Sequence, residues 1–422
     1  MANDTWTVKR CLDWTSGYLE KHGDERPRLS AEWLLSSMIG LSRTELYMNF
    51  DRPLSADELA SMHEAVVRRA KGEPLQYIAG ETSFRTITVA CEPGVLIPRP
   101  ETEILVEEVL TYLDQEVFGL EGEPGHRARK RVSLPWNAEV EAARKAEAEA
   151  AARKVAEERE AAPAAEDAWD AGGSDEHTVF GAAADDESFV PVGAEGEGPD
   201  ARAADGAADG AADAAATDAA DAAADGDVAS VEEEDVPVAR VLEVGCGTGC
   251  ISLSLATERP GQVECVATDI EPRAIELSCS NRDALGLSEE EVDFRLGNLV
   301  SPLDKGTEWG TFDVLVSNPP YVPTEVMSTL PREVAEYEPA LALDGGKDGL
   351  DYFRRLLNAA PYMLREGGLF ACELYEESLD TAKAMCERAG LKDVRIAKDM
   401  AHRPRIILAR VVEPKSYRPA RA

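Results

Sequence analysis

Val241-Leu242-Glu243-Val244-Gly245-Cys246-Gly247-Thr248-Gly249 decides the fold. An apolar run breaks into alternating glycines and then into a helix-compatible stretch, so the segment reads as strand, tight turn, helix. Glycines at 245, 247 and 249 let the backbone turn sharply and let a ligand approach without meeting a Cβ. The spacing is G-x-G-x-G, not the dinucleotide pattern G-x-G-x-x-G, and Glu243 stands just before it. An acidic residue there disfavours a pyrophosphate and suits a cationic ligand with an ammonium or sulfonium group. Around this unit, strands are expected over 240–244, 263–268, 292–296, 313–317 and 369–374. Helices are expected over 249–257, 272–285, 349–365 and 378–389, and 394–397 with 405–411 as a terminal hairpin. Strands separated by crossover helices imply an α/β fold, a mostly parallel sheet covered on both faces.

Ligands of such sheets sit at the carboxyl ends of the strands. Asp269 ends the second strand, 24 residues after Gly245, where a carboxylate can accept from both ribose hydroxyls. Asn298 follows the third strand and could read an adenine edge, with Leu299 packing on the ring. After the fourth strand comes Asn318-Pro319-Pro320-Tyr321. Two prolines can neither continue a sheet nor start a helix freely, so the chain leaves the strand stiff and extended. An NH2 group presented there could donate to the Asn318 side-chain oxygen and to the Pro319 carbonyl. Pro320 would stiffen the same wall, and Tyr321 offers a face for a flat group.

The N-terminal eighty residues lack this alternation and read as helical. Ala31, Leu34, Leu35, Met38 and Ile39 form one apolar stripe, and Ser55-Ala56-Asp57-Glu58 is a capping-box sequence ahead of Leu59, Met62, Val66 and Ala70. Phe84, Ile87 and Val89, followed by Pro93-Gly94, indicate a hairpin, and a helix runs through Leu105, Val106, Val109 and Leu110. The expected organisation is a helical domain over 1–80, a hairpin and first helix over 81–120, an insertion over 121–237, and the α/β domain over 238–422.

The chain of 422 residues carries a formal charge of −37, and 121–237 holds 31 acidic against 10 basic residues, more than half of the excess. Ala, Asp, Glu and Gly dominate that stretch, which has few large apolar residues to bury and is expected to be a disordered spacer. No apolar run approaches the roughly 18 residues of a membrane span, and no signal sequence opens the chain. Eight cysteines form no C-x-x-C pair, and with five histidines no metal site is implied. Reduced thiols in a cytoplasmic protein are the simplest account.

Glycine turn, ribose acid, adenine-side amide and NPPY fall at successive strand ends. Together with Gly72-Glu73-Pro74-Leu75-Gln76-Tyr77-Ile78, Leu96-Ile97-Pro98-Arg99-Pro100-Glu101-Thr102-Glu103 and Glu338-Pro339-Ala340-Leu341-Ala342-Leu343, the chain resembles the HemK-like glutamine methyltransferases over about 10–118 and 238–412. The resemblance implies a Rossmann-like class I fold binding S-adenosylmethionine through Glu243, the turn Gly245, Cys246, Gly247, Thr248 and Gly249, Asp269, Asn298, Leu299 and Asn318. It implies catalysis at Asn318, Pro319 and Tyr321, with Pro320 also contacting the acceptor, which would be the Gly-Gly-Gln glutamine of class I peptide chain release factors. The helical domain would grip that substrate, and the enzyme would act as a monomer. Three departures stand out: the acidic insertion, Asn298 in place of Asp, and Ala371-Cys372-Glu373-Leu374 at a strand end that usually reads Leu-Glu-Ile-Gly.

No general base is assigned. Glu336 and Glu338 read as loop carboxylates or anchors of the NPPY loop, and Arg99 and Glu101 as buttresses, an ion pair or a helix start. A ribosomal-protein glutamine methyltransferase, a nucleic-acid adenine methyltransferase and a non-catalytic binding protein remain alternatives. Nucleic acid is disfavoured because the chain outside the insertion is still near −16.

Overall fold

The computed structural model describes residues 5–119 and 237–416, all within one compact unit. Apart from Pro237, the expected spacer lies outside the described residues. Helices Val8–Lys21, Pro27–Ile39, Arg43–Met48, Ala56–Ala70 and Leu75–Ala79 form the N-terminal part. They enclose Leu12, Leu19, Ala31, Leu34, Leu35, Met62 and Val66. The expected capping box is made: Ser55 Oγ accepts from Glu58 N at 3.2 Å, and Ser55 N donates to Glu58 Oε2 at 2.8 Å. Ser42 and Glu45 form a second one, on a helix too short to show a periodic stripe. The hairpin follows as β1 (Glu81–Phe84) and β2 (Ile87–Ala90).

The main sheet has seven strands: β3 (Ala239–Val244), β4 (Val263–Asp269), β5 (Val292–Leu296), β6 (Phe312–Ser317), β7 (Leu364–Glu373), β8 (Lys392–Lys398) and β9 (Pro404–Arg410). Their order is β5-β4-β3-β6-β7-β9-β8, parallel from β5 to β7 and antiparallel thereafter. Successive residues point to opposite faces. Val241, Val314, Val316, Leu369 and Ala371 therefore pack beneath Leu105, Val106, Val109 and Leu110 of helix Pro100–Tyr112 and beneath helix Cys250–Glu258. Leu242, Val244, Leu315, Phe370 and Cys372 meet Phe353, Leu356 and Leu357 of helix Asp351–Met363 on the other face. Each fully buried large side chain is worth about 1.5–3 kcal/mol, so both helix layers are held firmly.

Helix Pro100–Tyr112 precedes the insertion and β3 follows it, yet both contribute to one core. Several boundaries shift from expectation, and two of the shifts have a visible tertiary cause. The helix expected from 349 begins at Asp351, because Gly349 sits at φ +73° against the backbone oxygen of Tyr321. Strand β7 begins at Leu364 instead of 369; its early part pairs Phe312 with Leu364 across a register shift, with Arg365 bound to Asp313.

From β3 the chain winds outward through β4 and β5 on one side and through β6 and β7 on the other. The carboxyl ends of β3 and β6 thus flank the topological switch point, where open α/β sheets form their binding crevice. Parallel register sets Glu243 beside both Ala267 and Val316, and Ser317 beside Cys372. The loops that follow these strands therefore emerge along one edge.

Candidate active site

One cleft of about 290 Å³ opens along that edge, near the lower end of the range that small-molecule ligands occupy. Its wall includes Val95–Arg99, Thr102, the glycine turn, Asp269, Asn298, Leu299 and Asn318–Pro320. The turn is pinned by Gly245 N and Cys246 N, which both donate to the Thr268 carbonyl, at 2.7 and 3.1 Å. Gly249 adopts φ +80°, and a Cβ there would lie 2.7 Å from Phe294 Cζ. Only glycine satisfies both constraints.

Glu243 is wholly buried. Its Oε2 accepts from Ser252 N at 3.0 Å and from Ser252 Oγ, whereas Oε1 has no partner among the described residues. Burial pushes its pKa up to about 8, against the pull of the Ser252 donors. A carboxylate with one oxygen unmet, on the wall of a cleft, fits a ligand that brings a cation. Asp269 accepts from Gly247 N at 2.9 Å through Oδ2 and from Glu271 N at 2.9 Å through Oδ1, leaving lone pairs on both oxygens. Cys246 and Thr248 are buried in the turn, and the Thr248 carbonyl accepts from Asn281.

Asn298 stands exposed at the rim with its Oδ1 accepting from Arg355 Nη2 at 2.8 Å. The oxygen is thereby committed, and the amide NH2 is what Asn298 has to offer a base edge. Leu299, at φ +53°, is held by its carbonyl accepting from Thr268 Oγ1 at 2.8 Å.

On the opposite wall, Asn318 Nδ2 donates to Thr102 Oγ1 at 3.0 Å, and Thr102 Oγ1 donates to Glu373 Oε2 at 2.7 Å. Pro319 is buried, and both prolines line the cleft. Tyr321 requires a correction: it does not line the cleft. Its hydroxyl donates to Glu373 Oε1 at 3.0 Å, and its ring packs against the core beneath the sheet. Two successive prolines set the direction of the chain, and the ring follows it inward. The loop is further clamped by Val322 N donating to the Leu343 carbonyl and Gly345 N to the Val322 carbonyl.

Glu338 anchors the Ile97–Arg99 segment, and its bonds do not reach the NPPY loop. Buried, it pairs with Arg99 and accepts from Ile97 N, and desolvation raises its pKa against the Arg99 charge. Glu336 instead pairs with Arg332 on the surface, and Glu101 with Arg403. Reasoning from sequence missed Thr102, Glu373 and Arg355 as wall or support residues. For the first two a signal existed, since Thr102 lies within the PETE stretch and Glu373 within the departing strand end.

A glycine turn, an acid at the next strand end, a buried carboxylate with one oxygen unmet and a stiff NPPY loop around one switch-point cleft define an S-adenosylmethionine-dependent methyltransferase. The PrmC N-terminal domain profile matches residues 10–80 and the methyltransferase small domain profile residues 217–336. The chain is 31% identical over 408 residues to the release factor glutamine methyltransferase of Geobacter sulfurreducens, covering 97% of this chain and 98% of that one. It is 37% identical over 403 residues to the protein of that name from Clostridium acetobutylicum, covering 95% and 98%. The chain belongs to the release factor glutamine methyltransferase family.

Proposed function

We propose that this enzyme methylates the side-chain amide nitrogen of the glutamine in the Gly-Gly-Gln motif of class I peptide chain release factors. The observation that carries the reading is the placement of Asn318 and Pro319 on the same cleft wall system as the glycine turn and Asp269. When bound, S-adenosylmethionine supplies an electrophilic methyl group on a sulfonium. The chain would hold it through Glu243, the turn Gly245–Gly249, Asp269, Asn298 and Leu299. Asn318 Oδ1 and the Pro319 carbonyl would accept the two hydrogens of the substrate NH2. That arrangement fixes the nitrogen and favours the positive charge developing on it during transfer. The proton can leave afterwards, so no strong base is required.

In this reading the helical domain over 1–80 grips the protein substrate, and 121–237 is a spacer. An acidic chain supports a protein acceptor over a nucleic acid, which would call for cationic side chains against its phosphates. The test is incubation with tritiated S-adenosylmethionine and, separately, release factor, ribosomal protein and DNA. Label on release factor is expected. Label on ribosomal protein or DNA but not on release factor would overturn the proposal.

A further inference from the structure

Asn318 can hold a substrate amide only if its oxygen, not its NH2, faces the cleft. An asparagine side chain is nearly symmetric in shape, so packing alone does not choose between the two orientations. The choice lies in what Asn318 touches. Its amide meets Thr102 Oγ1 at 3.0 Å. A threonine hydroxyl has one proton and can also accept. That proton goes to Glu373 Oε2 at 2.7 Å, and the other carboxylate oxygen accepts from the Tyr321 hydroxyl at 3.0 Å. Glu373 is buried, as is Thr102. Burial raises the Glu373 pKa while the Thr102 and Tyr321 hydroxyls pull it down; as the carboxylate that these two donors favour it is acceptor-only, so each bond has one permitted direction. Thr102 must donate to Glu373, must therefore accept from Asn318, and leaves Asn318 Oδ1 turned away from itself.

From this geometry we infer that Thr102 and Glu373 are positioning residues whose hydrogen-bond series sets the orientation of the Asn318 amide for the acceptor. The inference rests on the function proposed above. It also accounts for the NPPY tyrosine pointing inward: Tyr321 occupies the second oxygen of Glu373 and keeps it from competing for the Thr102 proton. Residues from three separate parts of the chain meet here: helix Pro100–Tyr112, the loop after β6, and the end of β7. Replacing Glu373 by Gln keeps the shape but supplies an NH2 that can donate to Thr102. The threonine proton is then free to turn toward Asn318, which can present its NH2 to the substrate NH2.

The experiment measures methyl transfer to release factor and S-adenosylmethionine affinity in the full-length enzyme. Thr102→Val is expected to lower kcat about a hundredfold and Glu373→Gln at least about tenfold, with cofactor affinity within about threefold in both. Thr102→Ser, which keeps the hydroxyl, should recover most of the loss seen with valine. The double variant Thr102→Val/Glu373→Gln should be no worse than its worse parent, because both act through one amide. A Glu373→Gln enzyme at the wild-type rate, no rescue by serine, or a double loss equal to the product of the single losses would each overturn the inference. Asn318→Ala separates this from the underlying reading. If Asn318→Ala abolishes transfer while Glu373→Gln does not reduce it, the function stands and the positioning role falls. If Asn318→Ala retains transfer, the function as proposed falls, and the positioning role with it.

Discussion

The backbone N–H of Gly247 donates to Asp269 Oδ2 at 2.9 Å, joining the glycine turn after β3 to the end of β4. The residue proposed to hold the ribose therefore also shapes the loop beside it. Asp269→Ala removes both functions. Bonds to a charged group are worth about 1.5–3 kcal/mol, so S-adenosylmethionine affinity should fall roughly tenfold to a hundredfold, as read by titration calorimetry. An unchanged affinity would remove Asp269 from the cofactor site.

Gly249→Ala meets two penalties at once, a left-handed backbone and a Cβ 2.7 Å from Phe294 Cζ. Overpacking and the unfavourable φ together should cost about 3 kcal/mol. Urea unfolding should show a lower midpoint, and replacing Phe294 by Leu in the same chain should restore part of it.

Glu243 carries a pH signature. In the unfolded chain it titrates near its ordinary 4.5, whereas in the fold burial raises it to about 8. Between these values the folded protein keeps a proton that the unfolded chain has lost. The contribution of Glu243 to stability is then full below about pH 4.5, declines as pH rises to about 8, and is constant above. A cationic cofactor against Glu243 Oε1 should draw that proton off. Calorimetry at pH 7 in buffers of different ionisation enthalpy should thus show proton release on S-adenosylmethionine binding. Glu243→Gln should abolish the release and flatten the pH dependence of stability.

Arg99 faces the buried Glu338 from the start of helix Pro100–Tyr112. Arg99→Ala leaves that carboxylate without its cation, a loss of about 3 kcal/mol where a buried pair is broken. Thermal denaturation should report a lower Tm. Glu338→Gln in the same background should recover part of it, since it removes the orphaned charge.

The helix before residues 121–237 and the strand after them share one core. If that segment is a spacer, replacing it with about 15 Gly/Ser residues shortens a loop without removing a contact. Loop-closure entropy then predicts a gain of about 1–2 kcal/mol in stability, with methyl transfer within about twofold. A tenfold loss of transfer with the fold intact would assign the segment a role in substrate handling.

Much of this protein could be read along the chain. Strand β5 falls on its expected residues, and β3, β4 and β6 extend theirs by one, because both faces of a parallel sheet are buried and their apolar runs are continuous. Elements set by contacts between distant segments were read less well. Gly349 delays the start of a helix because the Tyr321 backbone presses on it, and the start of β7 depends on pairing with Phe312.

The sequence by itself determined the chemistry and the layout: a glycine turn, an acid at the next strand end, and a proline-stiffened NPPY loop, all set by local periodicity and backbone restriction. Tertiary structure alone decided which way the side chains on that layout face. Sheet order brings Thr102 to Asn318 and Glu373 to both Thr102 and Tyr321, across 216, 271 and 52 residues of chain. The direction of a hydrogen bond depends on which donors and acceptors are left when every neighbour has been counted. Those neighbours come from a helix, a loop and a strand end whose adjacency no local pattern records.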